Sequence, residues 1–255
     1  MGAPVEDPEF DPLVTAAQAA PVAGWDFSWL EGRATEERPS WGYSRMVAER
    51  LPHVSAVLDV QTGGGEMLAS VGALPALTVA TEPWPANVAI AARRLRALGA
   101  LVVAHDAPDL PFRDAAFDLV ISRHPTSTPW PGIARVLRPG GTFLSQQIGG
   151  DNVEELGEVI RGPGPPGPKR GPDRERAAAA AAGLEVVDVR EESLRCVFDD
   201  IAAVVYFLRR VVWIVPGFSV DRYRAELYAL HERMRSEGPF VATSHRFLIE
   251  ARKSL

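Results

Sequence analysis

The chain has a single cysteine among 255 residues, so no disulfide can form within it and no thiolate cluster can hold a metal. Cys196 reads as a small buried hydrophobe rather than a reactive thiol. Lysine is almost missing: Lys169 and Lys253 are the only two among 27 basic residues. Excess positive charge is missing too. A net charge of −6 and a pI near 5.5 argue against a polyanionic partner such as nucleic acid, which draws a basic face. The most apolar stretch, Ile201 to Phe218, is broken at its middle by Arg209 and Arg210, which argues against a membrane span. The N-terminus, with Glu6, Asp7, Glu9 and Asp11 among prolines, lacks the basic start and apolar run of a secretory leader. His53, His105, His231 and His245 show no metal spacing, and no internal repeat is present. The expectation is a cytoplasmic protein, monomer or homodimer, with no metal, membrane or nucleic-acid partner.

What is present is an alternation of short apolar runs and amphipathic stretches. WGYSRMVAERL (41–51) reads as a helix and 54–60 as a strand ending in a glycine turn. ALTVATE (76–82) is a second strand, and PANVAIAARRLRALG (85–99) a helix closed by Gly99. Strands follow at 101–104, 117–122 and 142–148, with a short helix at 133–137 and a Pro-Gly-Gly turn before the last of them. Alternating strands and helices imply right-handed crossovers and a parallel, doubly wound sheet. RGPGPPGPKRGPDR (161–174) is a loop or linker rich in glycine and proline. Beyond it come an alanine-rich helix (177–182), a strand (184–192), an apolar helix after Asp199 and Asp200, an amphipathic helix (221–238) and a closing strand (241–253). The first forty residues read as irregular.

VLDVQTGGGE (57–66) carries the main functional signal. A strand followed by three glycines lets backbone N–H groups approach a ligand closely, because glycine has no Cβ in the way. Two ligand classes use such a turn: dinucleotides and S-adenosylmethionine. The dinucleotide fingerprint needs a third glycine for close helix packing, and Leu68 stands there instead. Asp59, inside the strand, is costly to bury unless it meets a polar ligand or backbone donors. Glu82, at the end of the second strand, can accept from both hydroxyls of a ribose. Asp106, after the third strand, can meet an adenine amino group.

With VATEPW, HDAPDLPFRDAAFDLVISRH and ARVLRPGGTFLSQ following in order, the sequence resembles the class I S-adenosylmethionine-dependent methyltransferases, in their small methyltransferase-domain group. The resemblance covers roughly residues 41–150. It implies a Rossmann-like α/β fold: a doubly wound seven-stranded sheet with its last strand antiparallel and helices on both faces. It implies one domain over 1–255, with a lid segment (1–40), a cofactor-binding half (41–160), and a C-terminal half (161–255) carrying a substrate-cap insertion (195–238). By the same resemblance S-adenosylmethionine is the cofactor. Asp59, Thr62, Gly63 and Gly65 would cradle its methionine part, Glu82 its ribose, Pro83 and Trp84 would lie beside adenine, and Asp106 with Ala107 would read the adenine edge. Gln61 departs from the pattern by replacing the first glycine. It is expected to keep out of the left-handed backbone region and to turn its side chain to the cofactor or the reaction chamber, or simply to pack.

His124, just after the fourth strand, is the candidate general base, because active sites of open α/β sheets gather at the strands' carboxyl ends. The alternative is a positioning histidine. Arg123 beside it can pair with a cofactor or substrate carboxylate. Trp25, Trp29 and Tyr43 in the N-terminal segment, with Tyr206 and Trp213 in the insertion, are expected to form an aromatic lid around a small-molecule acceptor; ordinary packing is the alternative. The expected reaction is methyl transfer to O or N of that acceptor, such as a secondary metabolite. Its rivals are an RNA or protein methyltransferase, a nicotinamide-dependent oxidoreductase, and a catalytically silent cofactor-binding protein.

Overall fold

The structure is a computed structural model, and it describes residues 7–22, 27–106, 109–164 and 170–255. Its helices are α1 (Phe10–Ala19), α2 (Tyr43–Arg50), α3 (Glu66–Ser70), α4 (Pro85–Leu95), α5 (Trp130–Val136), α6 (Glu154–Arg161), α7 (Pro172–Ala181), α8 (Ile201–Arg210) and α9 (Arg224–Glu237). Its strands are β1 (Ala34–Glu36), β2 (Ala56–Val60), β3 (Leu77–Glu82), β4 (Leu101–Ala104), β5 (Phe117–Arg123), β6 (Leu137–Ile148), β7 (Leu184–Phe198) and β8 (Phe240–Lys253). They form one eight-stranded sheet in the order β1-β7-β8-β6-β5-β2-β3-β4. The sequence leads to an expectation of seven strands with the last antiparallel. The closing strand β8 does run antiparallel to β6, but an eighth strand is present. It is β1, three residues paired antiparallel with Cys196–Phe198. ATE has no apolar alternation to reveal it. It exists because β7 continues to Phe198, past the expected end at residue 192.

The chain divides into two compact units, and both β7 and β8 run from one into the other. The larger comprises 38–150, 169–192 and 245–255. Its central strands are parallel: β3 and β5 flank β2, and β4 and β6 lie outside them. Alternate residues feed two cores. Val57, Leu119, Ile121, Leu144 and Leu248 face Val47 of α2, Leu68 of α3 and Leu95 of α4. Leu58, Val120, Phe143 and Ile249 face Trp130 and Ile133 of α5 and Ala179 of α7. Both faces are covered, as a parallel sheet requires.

The smaller unit comprises 1–37, 151–168 and 193–244. Its core joins Phe10 and Val14 of α1, Leu156 and Ile160 of α6, most of α8, and Leu227 and Leu230 of α9. The N-terminal residues read as irregular therefore contain a helix, α1, whose Phe10, Val14 and Ala17 are buried. α8 takes up the first part of the apolar stretch Ile201–Phe218. It is ten residues long, half the length of a span, and among the described residues no helix is long and apolar enough to cross a membrane.

Asp200 starts α8. One of its carboxylate oxygens accepts from the Ala203 N–H at 2.7 Å, and the other receives Arg33 at 2.7 Å. Asp200→Ala is expected to cost about 1–2 kcal/mol by the loss of cap and ion pair together, whereas Asp200→Asn keeps the cap and most of the stability. Urea unfolding of the two variants checks this.

Candidate active site

In the larger unit, β2, β3 and β5 end side by side, and their last residues with the turns that follow build the site. β2 ends in Val60, and Gln61 to Gly65 then turn into α3. The turn is tied to β3: Thr62 N–H donates to Thr81 O at 2.9 Å, and Gly63 N–H to Glu82 Oε2 at 2.8 Å. Gly63 and Gly65 sit at φ 65° and 78°, where a side chain is strained. A Cβ on Gly65 would also meet Leu95 of α4 at 3.0 Å. The glycines at these two places thus let the turn fold back under α4.

Gln61 corrects an expectation. Its φ is 59°, inside the left-handed region it was expected to avoid. The side chain explains how it stays there. Its Oε1 accepts from the Thr126 N–H at 2.7 Å and hydroxyl at 2.9 Å, and its Nε2 donates to Ser127 O at 2.8 Å. Three hydrogen bonds of about 1 kcal/mol each offset a left-handed cost of about 1–2 kcal/mol. The amide therefore clasps the loop that follows β5. His124, the first residue of that loop, is likewise left-handed at φ 55°. Strained non-glycine residues at two adjacent strand ends mark a constrained site.

Asp59 is 2% exposed; its Oδ2 accepts from the Thr62 hydroxyl at 2.6 Å and its Oδ1 is buried without a partner. Burial pushes its carboxyl up to about 7, with the Thr62 hydroxyl pulling against this and the nearby Glu82 charge adding to it. Glu82 is also buried. Its Oε1 accepts from Trp84 N–H (3.1 Å) and Asn87 Nδ2 (3.3 Å), its Oε2 from Gly63 N–H. Burial raises the Glu82 carboxyl despite those donors. An ionised carboxylate offers about four acceptor positions, so one remains open on Oε2.

A cleft of about 140 Å³ adjoins these groups, lined by Val60, Gln61, Thr81, Pro83, His105, Asp106, Leu110, Thr126, Ser127 and Pro129. His105 Nε2 is buried there with no partner. Pro83 and Asp106, expected beside adenine, thus share one cleft with Gln61. Trp84 is 44% exposed, and Ala107 lies outside the described residues. His105, Asn87, Thr126 and Ser127 escaped the sequence reading. Asn87 had a faint signal, an amide in the first turn of the helix that follows an acidic strand end; the others had none.

His124 N–H donates to Gln146 O at 2.7 Å, and its Nε2 meets Gln146 Nε2 at 2.9 Å. Gln146 Oε1 already accepts from Trp41 Nε1 at 2.9 Å, so the Gln146 amide nitrogen is the donor and His124 Nε2 the acceptor. The ring is then neutral, with its proton on Nδ1. Burial, then Arg246, Arg123 and Arg170, hold its pKa well below 6.5. Arg123 itself is exposed.

Of the expected lid aromatics, Trp25 lies outside the described residues. Trp29 and Tyr206 stack on each other at 4.8 Å in the smaller unit, where Tyr206 is 1% exposed and Trp213 is 50% exposed. Tyr43 belongs to the larger unit. Its hydroxyl is bonded within the core, 3.0 Å from Ser122 O and 3.1 Å from Leu144 O. Among the described residues no group of three His, Cys, Asp or Glu is placed to hold a metal.

Residues 58–145 match the family profile of the methyltransferase domain. Among solved structures, the fold is similar to the YcgJ protein of Bacillus subtilis, at 18% identity over 84% of this chain and 98% of that one, with a TM-score of 0.59. A putative methyltransferase from Bacillus halodurans is similar at 18% identity, 82% and 99% coverage, and TM-score 0.57. Phosphoethanolamine N-methyltransferase 2 of Haemonchus contortus, solved with phosphomonomethylethanolamine and S-adenosylhomocysteine, is 16% identical, with 84% and 53% coverage and TM-score 0.50. No curated protein matches the chain. The matched segment is thus similar to a methyltransferase domain, and the fold that carries it is similar to that of solved methyltransferases.

The Haemonchus enzyme is solved with S-adenosylhomocysteine, and the groups at the strand ends of this protein suit a ligand of that chemistry. The unpartnered Asp59 Oδ1 offers an acceptor to an ammonium group, the open position on Glu82 offers one to a ribose hydroxyl, and the cleft beside Pro83 and Pro129 suits a flat base. Asp59 also sets a pH dependence. Its folded pKa lies above the unfolded value of 3.8, so the folded state binds the proton more tightly and stability falls as pH rises from about 4 to about 7. Asp59→Asn should flatten that fall, gaining most over the wild type above pH 7, while weakening cofactor binding. Thermal unfolding from pH 4 to 8 checks the first expectation and calorimetry with S-adenosylhomocysteine the second.

Proposed function

We propose that the enzyme transfers a methyl group from S-adenosylmethionine to O or N of a small-molecule acceptor. The observation that carries the choice of a small acceptor is the net charge of −6, which leaves no excess of positive charge for a polyanion, and several arginines of the larger unit are already committed to acids. Arg50 pairs with Glu250, Arg94 with Glu66, Arg135 with Asp109 and Asp114, Arg138 with Asp118, and Arg190 with Asp188. A surface for RNA phosphates needs its guanidinium groups uncommitted. The Haemonchus structure, with its small bound amine, supports the same reading by fold alone. A nicotinamide enzyme is disfavoured by Leu68, which is fully buried where the third glycine would allow close packing.

When bound, S-adenosylmethionine supplies an electrophilic sulfonium methyl. The chain's part is to hold donor and acceptor in line and to take up the acceptor's proton. Asp59 and the Gln61–Gly65 turn would hold the methionine end, Glu82 the ribose, and Pro83 with Asp106 the adenine. Arg123 would pair with a carboxylate of donor or acceptor. His124 would take the proton. Its depressed pKa keeps it unprotonated at neutral pH, and Gln146 would have to release Nε2 first. Tyr43, whose hydroxyl is bonded to Ser122 O and Leu144 O, would support the strand ends from within the core.

Calorimetry should show S-adenosylhomocysteine binding far more tightly than NAD, and Glu82→Gln should weaken it by about 1–3 kcal/mol. Tight NAD binding without any for the homocysteine compound would overturn the proposal. Retention of the protein on RNA, lost only as salt rises, would favour the macromolecular rival.

His124→Asn should lower turnover by about 10²–10⁴-fold while donor affinity moves little. The acid limb of the wild-type pH–rate profile should fall below pH 6.5, because burial and three arginines disfavour the imidazolium. If affinity and turnover fall together, or the limb persists in the variant, His124 is a positioning residue.

A further inference from the structure

The glycine- and proline-rich segment at 161–174 has no part in the function as described so far, yet one of its residues is anchored deep in the site's framework. The Arg170 guanidinium donates to Pro125 O and Gln147 Oε1 by short bonds, to Thr128 Oγ1 at 3.3 Å and to Thr126 O at 3.4 Å. Behind it, Glu175 lies at 3.7 Å and accepts from Trp130 Nε1 at 2.8 Å. The backbone is fixed as well, because Arg170 O accepts from Gly150 N–H at 2.7 Å. A planar fork with five N–H donors in fixed geometry reaches four separate oxygens at once, more than the three donors of a lysine could.

The loop from His124 to Pro129 is therefore held from two sides. Gln61 grips Thr126 and Ser127 from the glycine turn, and Arg170 grips Pro125, Thr126 and Thr128 from α7's leading segment. Thr126, Ser127 and Pro129 form one wall of the cleft, whereas Arg170 is not among the residues that line it. A wall built on a strained left-handed residue, His124, keeps its place only if the surroundings over-determine it. Trp130 N–H to Thr128 O and Ile133 N–H to Pro129 O, both at 2.9 Å, hold the loop at its far end. Among the described residues its ties include His124 N–H to Gln146 O, the Gln61 clasp and the Arg170 fork.

We propose that Arg170 is a positioning residue of the donor site: by clamping Pro125–Thr128 opposite Gln61, it sets the shape of the cleft and so the affinity for the adenosyl part of the donor. The inference rests on the methyl-donor reading of that cleft. An arginine outside the cleft thereby controls binding inside it.

The test is calorimetric titration of S-adenosylhomocysteine and of adenosine into the wild type, Arg170→Lys, Arg170→Ala, Gln61→Ala and Glu175→Gln, with thermal unfolding of each alongside. Arg170→Lys and Arg170→Ala should weaken both ligands by a similar factor of roughly 10 or more, the scale for supporting residues around a site. Gln61→Ala should act in the same direction. Glu175→Gln removes the charge behind the guanidinium and leaves its loop bonds in place, so it should lower the unfolding temperature with less than a twofold change in affinity. If the Arg170 variants, folded at the titration temperature, bind both ligands within twofold of the wild type, the inference is overturned. It is also overturned if Glu175→Gln loses affinity in proportion to its loss of stability, since Arg170 would then be acting through general stability alone. Should Arg170→Ala fail to fold, Arg170→Lys and Gln61→Ala decide the matter. Absence of binding by the wild type is a separate result: it removes the methyl-donor reading itself.

Discussion

The amide of Gln61 joins three strand ends that would otherwise be independent. The Gln61 backbone leaves β2 in a left-handed turn and donates its N–H to Thr81 Oγ1 of β3 at 3.4 Å, and the side-chain amide closes on Thr126 and Ser127 beyond β5. Parallel sheets leave their strand termini short of partners, because each strand stops where its connection must rise over one face. In this protein the shortage is met by side chains. Ser122 Oγ donates to Val60 O at 2.6 Å, Asp59 takes the Thr62 hydroxyl, and Glu82 takes the Gly63 N–H. The cleft is what remains between these cross-ties.

The two carboxylates at the strand ends differ in how completely they are satisfied. Glu82 has three protein donors, Asp59 one hydroxyl and an idle oxygen. A buried acid with an idle oxygen lowers stability at neutral pH, and its upward-shifted carboxyl expresses that cost. Binding sites commonly retain such groups, trading stability for a ligand contact. His124 is set the opposite way. Its imidazole is surrounded by positive charge and already accepts from Gln146, so acid pH destabilises the fold through it: below 6.5 the unfolded chain takes up a proton that the folded ring resists. The two groups therefore tilt stability in opposite directions over overlapping parts of the acid-to-neutral range.

The strands of the larger unit and the order of the cofactor motifs were legible in the sequence, since apolar runs of four to seven residues between glycine turns admit few other readings. β2, β3, β4 and β5 fall within two residues of their expected limits. Local signals also placed Gly99 in a left-handed helix end and Asp200 at a helix start. β1 and α1 were not legible. A three-residue strand is created by its partner, and α1 sits in a composition of prolines and acids whose apolar stripe has meaning only against α8 and α9.

The backbone of Gln61 shows where local rules stop. Steric preference predicts that a glutamine avoids φ near +60°, and that preference holds for a residue considered alone. Thr126 and Ser127, sixty-five and more residues away, supply the bonds that reverse it. Arg170 is a similar case, since a run of glycine and proline reads as a spacer and nothing nearby announces that its arginine will clamp a loop more than forty residues earlier. The sequence by itself determined the class of fold, the glycine turn and the acids beside it, because these depend on periodicity and on residues adjacent in the chain. The tertiary structure alone decided which polar groups spend their hydrogen bonds on the protein and which stay open to a ligand, because that depends on partners brought together only when the sheet closes.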